Sequence, residues 1–169
     1  VTGAVTSVQN ICKSIQRAGI DVTDIVLEPL ASSCAVLRDE DREMGVCLID
    51  IGGGTTDMAL FFEGSVRETS VIAVGGQNVT SDVAICLRTA WSHAESLKCD
   101  FGAALEEIVD GTEMVEVPRI INKTPESVPR TQLAAIIEAR MEEIFSMVGS
   151  KIDAGNYADQ LGAGIVLTG

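Results

Sequence analysis

The chain has 169 residues, enough for one domain or a domain with a smaller lobe, and is 46% hydrophobic but only 4% aromatic, which predicts an α/β core of Val, Ile, Leu and Ala. Twelve basic residues against twenty-five acidic ones give a net charge of −13, which argues against a nucleic-acid or anionic-membrane surface in this chain. No apolar run approaches the ~20 residues of a membrane span. The five cysteines, Cys12, Cys34, Cys47, Cys86 and Cys99, form no C-x-x-C pair and read as small buried hydrophobes of a reducing cytoplasm.

In chain order, Val5, Val8, Ile11, Cys12 and Ile15 follow i, i+3, i+4 spacing, with Lys13 and Arg17 opposite, so residues 1–19 predict a helix ending at Gly19. It starts without a lead-in, as in a piece cut from a longer chain. Val22 to Leu27 predicts a short strand. Glu28-Pro29 then opens a helical run from Leu30 to Leu37, with proline at the favoured first position and Glu as a poor cap. The Glu28 carboxylate can be an exposed charge at the positive end of a helix dipole, or a group aimed at a cleft. Arg38 to Gly45, rich in charge, reads as a solvated loop.

From Val46 to Phe62 two apolar strand-length runs flank Gly52, Gly53 and Gly54, followed by Thr55 and Thr56, with Asp50 and Asp57 at the two ends. Glycines permit φ > 0 and leave backbone N–H groups bare for an anion, and the two hydroxyls can donate to phosphate oxygens. Two carboxylates repel a phosphate unless a divalent cation and its waters lie between. The stretch reads as a metal–phosphate hairpin, the alternative being an ordinary Gly-rich β-hairpin turn, which would not need the four polar positions. It is no P-loop, because no Gly-Lys-Ser/Thr follows and the chain runs straight into a second strand.

Gly64-Ser65 turns into a third strand, Val66 to Val74, patterned for burial on both faces. Gly75-Gly76 opens a helix from Gln77 to Leu87 with Val79, Val83 and Leu87 on one face. A glycine pair there suits either a bound anion or any tight strand-to-helix turn. Ser92 and Glu95 match a capping box, and His93 is read as exposed and idle. Between Asp100 and Pro129 only Met114 to Pro118 reads as a strand, with Pro125 and Pro129 bracketing a turn. A long amphipathic helix follows, Thr131 to Ile152, burying Leu133, Ile136, Ile137, Met141, Ile144, Phe145 and Val148. Glu138, Arg140, Glu142 and Glu143 are left for solvent or a partner. The chain closes on a buried strand, Gly164 to Gly169.

The Asp50-to-Asp57 motif resembles the second phosphate loop of the actin-like ATPase superfamily, which includes actin, MreB, the DnaK-type chaperones and FtsA. Leu27-Glu-Pro-Leu-Ala-Ser-Ser-Cys-Ala-Val-Leu37, Val74-Gly-Gly-Gln-Asn-Val-Thr-Ser-Asp82 and Ala163-Gly-Ile-Val-Leu-Thr-Gly169 resemble the FtsA cell-division family in particular. The resemblance covers nearly the whole chain and implies a fragment: the end of subdomain 1C, most of 2A, and 2B. It implies an actin-like, ribonuclease-H-like α/β subdomain, incomplete, with an inserted smaller α+β lobe. Residues 1–88 would then be the end of the preceding subdomain and the first part of the core, 89–152 the inserted lobe, and 153–169 the return strand.

The resemblance further implies ATP and Mg2+ as ligands. Asp50, Gly52, Gly53, Gly54, Thr55, Thr56 and Asp57 would hold the phosphates, with Asp50 and Asp57 reaching the metal through water. Gly75 and Gly76 would lie against the nucleotide, Glu95 and Lys98 would meet the ribose and base edge, and Gly169 would belong to the adenosine loop. Glu28 would position the attacking water or the metal's waters. Arg140 and Glu143 would lie on the surface that docks the C-terminal tail of FtsZ. It implies an adaptor at the inner face of the cytoplasmic membrane at the division site, forming actin-like filaments and meeting other divisome proteins. The membrane is reached only through a C-terminal helix that this sequence does not include. Weak ATPase activity at most is implied for the intact protein, and none for this chain alone. A pilus-assembly adaptor of the PilM type, or another actin-like ATPase such as a sugar kinase or chaperone, is the alternative. The Pro-Leu-Ala-Ser-Ser and Gly-Gly-Gln-Asn-Val-Thr-Ser-Asp stretches favour the FtsA family.

Overall fold

The structure is a computed structural model that describes residues 5–120 and 124–169. A four-stranded sheet in the order β3-β2-β1-β6 organises it. β1 (Val46–Ile51) lies between β2 (Thr56–Phe62), its antiparallel partner, and β6 (Gly164–Thr168), its parallel partner, and is buried almost throughout. Its sequence, Val-Cys-Leu-Ile-Asp-Ile, is near-continuously apolar, as a strand covered on both faces must be. One face buries Cys47, Ile49, Met58 and Leu60 against Val148 and Ile152; the other buries Val46, Leu48, Ala59 and Phe61 against Leu37.

Those two covers come from helices. α2 (Glu28–Val36) leads into the Leu37 side, and α6 (Arg130–Ala154) supplies Val148 and Ile152. At 25 residues α6 is about 37 Å long. Its first half packs elsewhere: Leu133 and Ile137 join Val79, Val83 and Leu87 of α4 (Gly76–Cys86) and its C-cap, and Ala94 and Leu97 of α5 (Trp91–Phe101). That second core also takes Val115, Val117 and Val128 from a two-stranded antiparallel sheet, β4 (Met114–Pro118) and β5 (Pro125–Pro129). α6 therefore belongs to both cores.

Several expectations are corrected. Val22–Leu27 forms no strand; Ile25 and Val26 stand 51% and 61% exposed, and no neighbour among the described residues offers a ladder. Residues 39–44 are a short helix, α3 (Asp39–Met44), and not a loop. Asp39, Glu40 and Asp41 suit its positive end, and Asp41 accepts the Arg38 N–H at 2.9 Å. β3 (Ser65–Ile72) is an edge strand with alternating exposure, Val71 being 62% exposed, so it is not buried on both faces. β6, at the opposite edge, likewise leaves Ile165 and Leu167 exposed. Ser92 and Glu95 form no capping box, because α5 begins at Trp91 with Ala90 as its cap, two residues before a Ser92 cap would start it.

Pro125 and Pro129 end a strand; each sits at the edge of a two-stranded ribbon, where a missing N–H costs no ladder bond. Of the cysteines only Cys47 is buried, and burial pushes its thiol up to about 11; Cys34, Cys86 and Cys99 are exposed. α1 (Val5–Arg17) keeps the expected amphipathic pattern, yet none of its described residues is buried.

Candidate functional site

The ends of β1 and β2 build the site. Their antiparallel register pairs Asp50 directly with Asp57 and Ile51 with Thr56, so both carboxylates leave the same face of the sheet. Like charges directly opposite each other weaken a sheet. Asp50 is only 9% exposed and accepts one side-chain hydrogen bond, from Ser32 Oγ at 2.7 Å. Asp57 accepts from Thr55 Oγ1 at 3.1 Å.

Across the turn, Gly52 N–H donates to Thr55 O at 2.9 Å, and Gly53, Gly54 and Thr55 present adjacent N–H groups at an exposed bend. The glycines of this turn do not use positive φ. Their use is bareness: nothing lies within 4 Å of where a Gly54 Cβ would stand. Thr56 is turned the other way. It is fully buried, and its hydroxyl donates to Val74 O at 2.9 Å, so of the two only Thr55 has its hydroxyl at the exposed turn, where it is given to Asp57.

Gly75 and Gly76 pack on this turn. Gly76 N–H and Gln77 N–H donate to Gly52 O and Gly53 O at 2.9 and 2.7 Å, and Gly75 N–H donates to Asn78 Oδ1 at 3.0 Å. The first N–H groups of α4 are thereby used within the fold, so this helix start is no open anion site. Gly75 serves close approach, since a Cβ there would stand 2.5 Å from Gly52 O.

Glu95 and Lys98 come together one layer further out. Lys98 Nζ donates to Glu95 Oε2 at 2.8 Å, to Thr80 Oγ1 at 3.0 Å and to Gly76 O at 3.3 Å, which uses its three N–H groups. Thr80 Oγ1 in turn donates to Glu95. The Lys98 ammonium, and then the Thr80 hydroxyl, hold the Glu95 carboxyl below the usual carboxylate range. Gly169 closes the other side: φ is 137°, and a Cβ would stand 2.3 Å from Ile51 O. Glu28, exposed at the start of α2, lies one turn before Ser32 and on the same helix face.

The structure thus gathers the hairpin, Gly75–Gly76, Glu95–Lys98, Gly169 and Glu28 around the carboxyl end of the parallel pair β1–β6. Ligands of open α/β sheets bind at such an end. Two acids and no third fit a magnesium ion that keeps several waters and is bound mainly by phosphate oxygens; among the described residues no cluster of three His, Cys, Asp or Glu exists to hold a metal alone. Ser32, Thr80 and Gln77 were not legible as site residues. Each is an ordinary helical side chain whose only signal is lying one turn, or at once, beside a residue that was.

Arg140 and Glu143 lie elsewhere, on α6. Arg140 makes a side-on pair with Asp82 of α4, Nε to Oδ2 at 2.6 Å and Nη2 to Oδ1 at 3.0 Å, and Nη1 bonds Glu143. The pair leaves the Arg140 side chain 23% exposed and raises its already high pKa. Arg140 is therefore held within the fold and is not simply free on the surface. Beside it lies a groove of about 530 Å³ whose apolar lining includes Ala135, Ile136 and Ala139.

Comparison with known proteins bears on the family and the fold. The family model described as "Cell division protein FtsA" matches residues 47–165. The FtsA of Pseudomonas aeruginosa is 44% identical over the whole chain, which spans 40% of that protein. The FtsA of Neisseria meningitidis is 45% identical, again over the whole chain and 41% of the relative. For Bacillus subtilis the identity is 40% and the share of the relative 38%. The chain thus spans about two fifths of the length of these relatives. Among solved structures, MreB5 of Spiroplasma citri bound to ADP superposes with a TM-score of 0.78 at 18% identity, covering 98% of this chain and 54% of that one. A type IV pilus biogenesis complex, PilM–PilN, gives 0.64 at 14% identity, covering 89% and 37%. At these identities the structures show the fold alone, which is that of actin-like ATPases, while the sequence relatives show more: this chain belongs to the FtsA family of cell-division proteins.

Proposed function

We propose that this chain is the nucleotide-binding and partner-docking part of an ATP-binding, actin-like adaptor. The intact adaptor recruits the FtsZ ring, tethers it to the cytoplasmic membrane and helps assemble the divisome. Residues 1–88 and 153–169 serve the nucleotide core, with 89–152 as the inserted lobe. The observation that carries the nucleotide half is the pairing of Asp50 with Asp57 across a bare glycine turn. Two opposed carboxylates weaken the sheet on their own account and make sense as holders of a cation's waters. That relatives of the same fold were solved with ADP and AMPPNP supports a nucleotide as the ligand.

In this reading the N–H groups of Gly53, Gly54 and Thr55, with the Thr55 hydroxyl, receive phosphate oxygens. Magnesium, when bound, neutralises phosphate charge beside Asp50 and Asp57. The Thr56 hydroxyl contributes by fixing the turn to Val74, not by touching phosphate. Gly75–Gly76, the Glu95–Lys98 pair and Gly169 form the wall toward the ribose and base. Glu28 orients water for any hydrolysis, and the device works chiefly by nucleotide-governed closure of lobes. The adaptor is a peripheral protein of the cytoplasmic face; no helix among the described residues is long and apolar enough to cross a membrane. Self-association into filaments and contacts with other divisome proteins belong to the same reading.

The α4–α6 groove, with Arg140 and Glu143 at its charged end, docks the FtsZ tail. Fluorescence anisotropy of a labelled FtsZ tail peptide, titrated with the intact protein and with Arg140→Glu, tests this. Micromolar binding weakened by the charge reversal is expected. A folded protein that leaves the peptide's anisotropy unchanged removes the adaptor reading.

A further inference from the structure

We infer that Asp82 is a positioning residue of the docking groove and that, through α4, it makes peptide affinity depend on the nucleotide at the hairpin. The inference rests on the docking reading above and adds the regulation of that site.

The geometry is a short lever. The first turn of α4 is bonded to the phosphate turn at two points, Gly76 N–H to Gly52 O and Gln77 N–H to Gly53 O. Gly75 leaves no slack there, because even a methyl group would collide with both carbonyls, at 2.5 and 2.8 Å. Six residues further on, about 9 Å along the axis, the same helix presents Asp82 to Arg140. Between these points Thr80 ties the helix to Glu95 and Lys98, and Val79 and Val83 pack into the core shared with Leu133 and Ile137 of α6. A movement of the turn on receiving phosphate therefore moves the carboxylate that sets the Arg140 guanidinium.

Asp82 does set it. The side-on pair takes the Nε N–H and one N–H of Nη2, Glu143 takes one N–H of Nη1, and the guanidinium so held belongs to a residue that lines the groove. Without Asp82 a long, flexible side chain would have to be ordered by the peptide itself, at the expense of affinity. Asp82 lines the groove but lies outside the nucleotide site, so its loss separates the two functions.

Linkage makes the test sharp: if nucleotide changes peptide affinity by some factor, peptide changes nucleotide affinity by the same factor. The labelled FtsZ tail peptide is titrated with the intact protein, with and without magnesium and a non-hydrolysable ATP analogue. The wild type, Asp82→Asn, Asp82→Glu and Arg140→Ala are compared, each checked for folding by circular dichroism. The wild-type peptide affinity is expected to differ about 5-fold between the two nucleotide states. Asp82→Asn is expected to bind the peptide about 10-fold more weakly and equally in both states, while its nucleotide affinity without peptide stays as in the wild type. Asp82→Glu restores part of the difference. Peptide affinity in Asp82→Asn equal to or above the wild type overturns the inference, as does a wild-type affinity indifferent to nucleotide. If no protein in the set binds the peptide, the docking reading itself falls and the inference with it.

Discussion

At the hairpin, one pair of side chains sets function against stability. Asp50 and Asp57 face each other across β1 and β2, and with no cation between them their repulsion weakens the ladder. Asp57→Asn removes that repulsion and still lets Thr55 donate to an oxygen. In magnesium-free buffer this variant is expected to be more stable than the wild type by about 0.2–1 kcal/mol, read from urea unfolding. Both Asp57→Asn and Asp50→Asn are expected to weaken magnesium-dependent ATP binding by the intact protein about 10-fold or more, as removal of groups that orient a metal's ligands does. Isothermal titration of both variants that matched the wild type would remove the two acids from the metal's surroundings. The glycines separate in the same way. Gly75 has extended φ, so Gly75→Ala costs nothing in backbone strain, but its methyl group meets Gly52 O and Gly53 O. Overpacking of this kind is expected to cost about 1–3 kcal/mol. Gly54→Ala, with open space around it, is expected to unfold as the wild type does and to lose phosphate affinity instead. The sequence showed that this turn was bare and hydroxyl-rich. It could not show which threonine pointed inward, because Thr55 and Thr56 differ only in the strand face that register assigns them.

Among the elements, α4 and α5 carry a polar junction whose protonation can be followed. Glu95 has a folded pKa below its unfolded value because Lys98, and then Thr80, hydrogen-bond its charged form. A depressed carboxylate contributes stability that is present above the unfolded pKa and is lost as pH falls through the folded one. Glu95→Gln is therefore expected to flatten the acid limb of the stability–pH curve below about pH 5, with little change in its slope near neutrality. An acid limb identical to the wild type's would show the junction to be idle. The elements also mark where patterning was sufficient. The apolar run of β1 and the 3.6-residue repeat of α6 each fixed their element, since burial on two faces or along one stripe leaves a strong periodic signal. β3 and β6 misled because their apolar residues imply burial, whereas both are edges of this sheet with one face bare. α3 was hidden by its charge: the acids that look like a solvated loop are the ones that stabilise a helix start. β5 was hidden by its prolines, which a two-stranded ribbon tolerates at both ends.

For the whole molecule, the sign of the charge decides how a nucleotide can be held. The chain carries −13, and that charge already includes the two carboxylates of the hairpin and Glu28. Lys98, the cation tied to Gly76, already gives its three N–H groups to Glu95, Thr80 and Gly76 O. The N–H groups of α4's first turn are likewise used. What remains for a triphosphate is the short run of N–H groups from Gly53 to Thr55, with one hydroxyl that must turn from Asp57, set in an acidic field. Such a cradle needs a cation on the ligand, and two acids alone cannot hold that cation without the phosphates. Magnesium by itself is therefore expected to leave the melting temperature of this chain unchanged, and ATP with excess chelator to bind neither this chain nor the intact protein. With magnesium present, the intact protein, about two and a half times as long in the relatives, is expected to bind ATP at least 100-fold more tightly than residues 1–169 do. A ligand at 100 times its Kd adds about 2.7 kcal/mol of stability, so one thermal melt of each protein with and without Mg·ATP reads the difference. Residues 1–169 that bind Mg·ATP as tightly as the intact protein, or turn it over, would mean that this half carries the whole site, and that closure of a second lobe contributes nothing to holding the nucleotide.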